Sequence, residues 1–377
     1  MGAKQIRRDD EVMKVTTPSR RRTTLALSAV LIAAGLTIPA TAEASPPGLD
    51  LAGPKVDPAL LDSCTGEDPV VCTFDDLAPG DYDVTVVLGS DDAAASTAVF
   101  AESRRQMLTA TDTAAGEHVR RAFTVDVRDP EGQQNQPIGT GTPGLSLTFS
   151  GDAPAIAGIG IAPALPRTKK IALIGDSTVT DQEAWPYTGW GQRLPAHVGL
   201  GATVVNHSGS GESTVSVLAK ASMFDALEPQ LGTGDVALIQ LAHNDKTTTA
   251  EQYRANLTEM VDRIRARGAT PVLVTPIVRL RFTNGVINPV GLIVTDLADL
   301  PAEMRDVAAQ LDVPLIDLTQ RSRELVESLG PVESEPIYLI RINGDRTHTS
   351  EYGAGVYAGI VAEELQKLDL LPASIWR

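Results

Sequence analysis

From about residue 166 onward, short apolar runs alternate with segments of helical periodicity, and no other feature constrains the chain as strongly. Lys170 to Ile174, Thr203 to Asn206, Val236 to Leu241, Thr270 to Val274 and Leu315 to Asp317 read as short, mostly apolar strands. Between the third and fourth, Ala250 to Arg267 places Tyr253, Leu257, Met260, Val261 and Ile264 at helical spacing. Glu251, Arg254 and Asp262 fall on its other faces. Further helices are predicted from Pro301 to about Leu311 and from Glu351 to about Leu368. Strands alternating with helices imply a parallel sheet covered on both faces, whose ligands bind beyond the carboxyl ends of the strands.

The chain before residue 166 is patterned differently. Short β-branched and apolar runs, Tyr82 to Leu88, Ala98 to Ala101, Ala122 to Val127, Leu145 to Phe149 and Ile156 to Ile161, are punctuated by turn formers. Examples are Pro79-Gly80-Asp81, Ser90-Asp91-Asp92 and Gly151-Asp152-Ala153-Pro154. In Tyr82-Asp83-Val84-Thr85-Val86 polar and apolar residues alternate, the signature of a half-buried strand. The expectation is a small all-β sandwich over residues 45–165, joined by a linker from Ala162 to Pro166 to an α/β domain over 166–377.

Residues 1–44 read as a leader. Arg20, Arg21 and Arg22 precede an apolar run from Leu25 to about Ala40, and Ala42-Glu43-Ala44 fits a signal-peptidase site. The run is shorter than a membrane span needs, so secretion is expected, an uncleaved anchor being the alternative. The paired arginines also permit twin-arginine export. With 32 Lys and Arg against 48 Asp and Glu, the net charge of −16 repels phosphate backbones and anionic lipid. Nucleic-acid and membrane-surface partners are not expected. The two cysteines, Cys64 and Cys72, suit a short-loop disulfide in an oxidising compartment, with free thiols as the alternative. No histidine lies near them and no HExxH or CxxC pattern occurs, so neither metal nor cofactor is expected.

Four segments carry chemistry. The first predicted strand runs into Gly175-Asp176-Ser177-Thr178, placing a serine just past a carboxyl end, where glycine would let the chain turn sharply. The G-x-S-x-G elbow is absent, which argues against an α/β-hydrolase. Asn206 to Ser213 leaves the second strand as a glycine-rich loop around Gly211, able to present a bare backbone N–H. Ala242-His243-Asn244-Asp245 leaves the third, where an amide could donate to a developing oxyanion. Near the far end, Asp345-Arg346-Thr347-His348 lets the carboxylate orient the imidazole three residues on. Taken singly, the GDS tripeptide admits a plain reading as a turn, and the Asp345 and His348 pair as a helix-cap Asp and a surface His.

Taken in order, these segments resemble the four signature blocks of the SGNH (GDSL) hydrolases. The longer stretches IALIGDSTVTDQ, VVNHSGSGES, LIQLAHNDK, TPIVRLRF, VPLIDLTQRSRELVESLG and DRTHTSEYGA are similar to the rhamnogalacturonan-acetylesterase branch, over about residues 168–370. The resemblance implies a flavodoxin-like α/β/α domain. It also implies Ser177 as nucleophile, Asp345 and His348 completing a triad, and an oxyanion hole of Ser177, Gly211 and Asn244. The expected activity is removal of O-acetyl groups from an acetylated polysaccharide such as pectin. An esterase of acyl chains and a catalytically silent glycan-binding protein are the alternatives. Ala242 departs from the glycine usual before HND, and its methyl would either narrow the oxyanion loop or be absorbed. Arg279 and Arg281 resemble a basic pair of this branch, suited to a uronate carboxylate or to solvent. Trp185 and Tyr187 can stack on sugar faces. Trp190 is expected in the core of the first helix, and His243 and His207 as loop supports. For the front domain, a galactose-binding-like role is the expectation, with a spacer or a lid as alternatives.

Overall fold

The computed structural model describes residues 53–128 and 143–377; the predicted leader, residues 1–44, lies outside them. Antiparallel strands occupy the chain up to Pro163. One sheet runs β1 (Cys64–Thr65), β2 (Val70–Phe74), β7 (Leu145–Ser150), β4 (Ala95–Ala101) and β5 (Arg105–Thr113) in spatial order. The other runs β6 (Val119–Val127), β3 (Gly80–Leu88) and β8 (Ile156–Pro163). Val84, Val86 and Leu88 from one sheet meet Val99, Leu147 and Phe149 from the other in a single apolar core. Cys64 and Cys72 face each other across β1 and β2 and are joined by a disulfide.

β1, β2 and β5 are absent from the strands expected by pattern. Most of β5 is polar (Thr109 to Thr113) and carries little hydrophobic alternation to detect. The linker is also shorter than expected, because Ala162 and Pro163 still pair with Asp83 and Tyr82. The second half of β6 is buried on both faces: Phe123, Val125 and Val127 face the apolar core, and the intervening Thr124 and Asp126, with Arg128 just after the strand, are buried too. That polar face reaches the α/β layer, where the Arg128 guanidinium donates to the Asn206 carbonyl. The described residues 53–128 and 143–377 fall in one compact unit, in which antiparallel and α/β layers share a hydrogen-bonded seam.

The α/β layer contains β9 (Lys169–Gly175), β10 (Ala202–Asn206), β11 (Val236–Gln240), β12 (Thr270–Val274), a short hairpin of β13 (Phe282–Thr283) and β14 (Val286–Ile287), and β15 (Leu315–Ile316). Its helices are α1 (Thr214–Ala219), α2 (Phe224–Leu227), α3 (Ala250–Ala266), α4 (Leu300–Leu311), α5 (Leu318–Glu333), α6 (Ile340–Asn343) and α7 (Glu351–Leu368). The parallel sheet has the order β10-β9-β11-β12-β15, the 2-1-3-4-5 arrangement of flavodoxin-like folds.

The near-continuous apolar strands are explained by two faces to cover. Ile171, Leu173, Val236, Leu238, Val272 and Val274 point to one side, where Tyr357, Val361 and Leu365 of α7 and Leu318 and Val326 of α5 cover them. Ala172, Ile174, Ala237, Ile239 and Leu273 point to the other, against Tyr253, Leu257 and Ile264 of α3 and Met304 and Val307 of α4. Burying each such Leu or Ile contributes about 2 kcal/mol. Trp190 is core as expected, but in a three-residue 3-10 turn, Trp190–Gln192, rather than an α-helix. The β13–β14 hairpin turns on Asn284 and Gly285, both at positive φ, a pairing that Asn-Gly favours.

Candidate active site

Ser177 sits in the turn that leaves β9, held by bonds from the Val179 and Thr180 N–H groups to the Asp176 carbonyl. The preceding glycine has a different reason from the one expected. Gly175 is not at positive φ; a Cβ there would lie 2.4 Å from Val179 Cγ2, so the constraint is close packing of the turn on its own strand. Asp176 is fully buried and anchors the turn. Its carboxylate accepts from the Thr178 N–H and hydroxyl at 2.9 and 2.8 Å, and from His243 Nδ1 at 3.0 Å. Burial pushes the Asp176 carboxyl up, but His243 and Thr178 outweigh it and hold it below the ordinary carboxylate range. His243 donates through its other nitrogen to the Ile277 carbonyl at 3.0 Å, so it ties the serine turn to the segment after β12.

His348 approaches Ser177 from the far end of the chain. Its Nε2 is 2.8 Å from Ser177 Oγ, and its Nδ1 is 2.6 Å from Asp345 Oδ2. Asp345 Oδ1 accepts from the N–H groups of Thr347 and His348 at 2.7 and 3.1 Å, which locks the carboxylate against the ring. Burial raises the Asp345 carboxyl, yet the His348 ring and those two N–H groups overcome it and bring it down to about 2. Ser177 is 8% exposed, and the His348 and Asp345 side chains are 29% and 23% exposed, as a rim site requires.

Gly211 and Asn244 are brought together on the neighbouring loops. Gly211 has φ +81°, a conformation that favours glycine, and is exposed. The Asn244 amide donates to the Glu212 carbonyl at 2.9 Å, which holds it beside the Gly211 loop and leaves its second N–H for another acceptor. The Ala242 methyl is absorbed: it is buried in the cluster that also contains Ile174, Leu241 and Tyr253.

Of the residues expected at the substrate, Tyr187 and Arg279 touch this centre. The Tyr187 ring meets the His348 ring edge-on, centroids 5.2 Å apart, and its hydroxyl accepts from Asn343 at 3.1 Å. Trp185 is 65% exposed. Arg279 is half-buried and donates to the His243 carbonyl at 2.9 Å, whereas Arg281 is exposed. His207 lies instead at the seam with the antiparallel layer, where Gln230 approaches its Nε2 at 3.3 Å. Burial first, then the neighbouring Arg128 and Lys170 charges, push its pKa down to about 4, only partly opposed by Asp126. The role of Asp176 was missed from sequence, because only the fold puts His243 within reach of it. The bond from the Gln182 amide to the Ser177 carbonyl left no signal in the motifs.

A serine linked through imidazole to carboxylate at the rim of this sheet, with no nucleophile elbow, defines a serine carboxylic ester hydrolase of the SGNH type. Residues 173–353 match the GDSL-like lipase/acylhydrolase family. Rhamnogalacturonan acetylesterase RhgT of Bacillus subtilis is 36% identical over 218 residues, spanning 53% of this chain and 91% of RhgT. Probable rhamnogalacturonan acetylesterase YesY of the same organism is 30% identical over 214 residues, spanning 53% and 94%. The chain belongs to the GDSL-like lipase/acylhydrolase family, in its rhamnogalacturonan-acetylesterase-like branch. The crystal structure of the Bacillus subtilis protein YxiM matches with a TM-score of 0.50 at 23% identity, covering 80% of each chain. That coverage exceeds the α/β layer, so the likeness in fold extends into the antiparallel layer.

Proposed function

We propose that this chain is a secreted carbohydrate esterase that removes O-acetyl groups from a polysaccharide, with acetylated rhamnogalacturonan as the first substrate to test. The observation that carries the reading is the Ser177–His348–Asp345 relay, at 2.8 and 2.6 Å. Ser177 Oγ attacks the acetyl carbonyl carbon while His348 Nε2 takes its proton. The oxyanion is received by the N–H groups of Ser177 and Gly211 and the free amide hydrogen of Asn244. Collapse breaks the bond to the sugar oxygen, which takes the proton back from His348. Water, deprotonated by the same ring, then releases acetate and restores Ser177.

The substrate class is supported by the names of the two acetylesterase relatives and by the rim itself. Exposed Trp185 and the Tyr187 ring suit sugar faces, and Arg279 and Arg281 suit a uronate carboxylate. Secretion is supported by the basic, apolar and small-residue succession in residues 1–44. The test is acetate release from acetylated rhamnogalacturonan, acetylated xylan and p-nitrophenyl esters of increasing length, with Ser177→Ala as control. Preference for long acyl chains over acetate would replace this reading with a lipase-like one. Glycan binding with no hydrolysis of any ester would replace it with a binding protein.

A further inference from the structure

Arg104, on the turn between β4 and β5, leaves its own layer and enters the α/β layer beside the relay. Its Nη1 donates to the carbonyls of Gln182 and Tyr187 at 3.2 and 3.1 Å, and its Nη2 to the Glu351 carboxylate at 2.6 Å. The turn that projects it is bent to do so: Glu102 and Arg104 both adopt positive φ, 54° and 58°, which side chains other than glycine rarely take. The adjacent Ser103 carbonyl accepts from Gln192, whose amide also donates to the Gln182 carbonyl at 2.8 Å.

The three acceptors of Arg104 belong to the two arms of the relay. Gln182 and Tyr187 are on the segment that follows the nucleophile: the Gln182 amide donates to the Ser177 carbonyl at 2.7 Å, and the Tyr187 ring abuts His348. Glu351 opens α7, three residues after His348, and is also held by Arg193 at 2.8 Å. One planar guanidinium thus bridges the serine arm and the histidine arm, which are far apart in the chain, with a fork that a point charge cannot reproduce.

We propose that Arg104 is a positioning residue for the Ser177–His348 pair, so that the antiparallel layer completes the active site rather than merely accompanying it. This rests on the reading of Ser177 as nucleophile. Arg104 touches neither reacting atom and acts through Gln182, Tyr187 and Glu351.

The experiment uses the full chain with Arg104→Ala, Arg104→Lys and Glu351→Gln. Turnover of p-nitrophenyl acetate and of acetylated polymer is measured well below the melting temperature, together with the rate of Ser177 labelling by a fluorophosphonate. Arg104→Ala is expected to lower kcat and the labelling rate at least tenfold on both substrates, with KM within about twofold. Arg104→Lys should recover little, Glu351→Gln should lose less, and added guanidinium should partly restore Arg104→Ala but not Ser177→Ala. The proposal is overturned by unchanged kcat and labelling. It is also overturned by a rise in KM confined to the polymer, which would make Arg104 a substrate contact, or by a loss that only tracks the unfolded fraction in circular dichroism. A wild-type chain that neither hydrolyses any ester nor labels at Ser177 instead sinks the reading of Ser177 itself.

Discussion

Replacing Asp345 by Asn should disable the relay while leaving the turn that bears it intact. Asp345 Oδ1 accepts two backbone N–H bonds, from Thr347 at 2.7 Å and His348 at 3.1 Å. An amide at this position must keep its oxygen there, because an NH2 group cannot accept those bonds. Its NH2 then occupies the place of Oδ2, 2.6 Å from His348 Nδ1 in the native protein. Facing a donor, Nδ1 becomes the acceptor and the ring proton moves to Nε2, the nitrogen that must take the proton of Ser177. The ring is in place but in the wrong tautomer. The expected loss in kcat is about 10³–10⁴-fold, or about 4–5.5 kcal/mol of transition-state stabilisation. The assay is kcat for p-nitrophenyl acetate between pH 6 and 9, beside a thermal melt. A melting temperature within a few degrees of wild type accompanies the loss, because both turn bonds survive. A loss below tenfold in a folded variant refutes the argument, since it would mean that Asp345 does not set the tautomer of His348.

Three further outcomes follow from the geometry. Asn244→Ala removes the amide beside the Gly211 loop and should lower kcat about 10²–10³-fold with little change in KM; steady-state kinetics with a loss under tenfold speaks against the oxyanion role. Gly175→Ala drives a methyl to 2.4 Å from Val179 Cγ2 and 2.6 Å from Val179 Cβ. It should destabilise the protein by about 1–3 kcal/mol and slow Ser177, and an unchanged urea midpoint contradicts the packing argument. His207, held neutral with its pKa down at about 4, favours the unfolded state as acid is added. Below its ordinary pKa of about 6.5 the unfolded chain takes the proton and the folded chain does not, so stability falls by about 3 kcal/mol by pH 4. His207→Gln should flatten the difference between urea midpoints at pH 7 and pH 4.5, and equal slopes for variant and wild type reject this origin.

The periodicities that named five parallel strands and helices α3, α4 and α7 are local properties, and each was legible because those elements bury apolar side chains at regular spacing. The chemistry was legible for the same reason: GDST, the Gly211 loop, HND and DRTH each sit next to a strand or helix end that the pattern already marks. Polar elements were not. Strand β5 and the Asn284-Gly285 hairpin carry little hydrophobic alternation, though the Asn-Gly pair was a signal that could have been used, as were the core-facing Leu318 and Val326 of α5.

What the chain determines by itself is which residues can react and which segments alternate. What only the tertiary structure decides is which of them meet. Ser177 and His348, 171 positions apart, share a hydrogen bond because order 2-1-3-4-5 brings both loops to one rim. Arg104 reaches Glu351 across 247 positions because the turn between β4 and β5 of the antiparallel layer lies against the segment after Ser177 and the start of α7. Periodicity reports how a segment meets a core, whereas a contact between distant polar groups depends on the packing of whole layers and leaves no periodic trace.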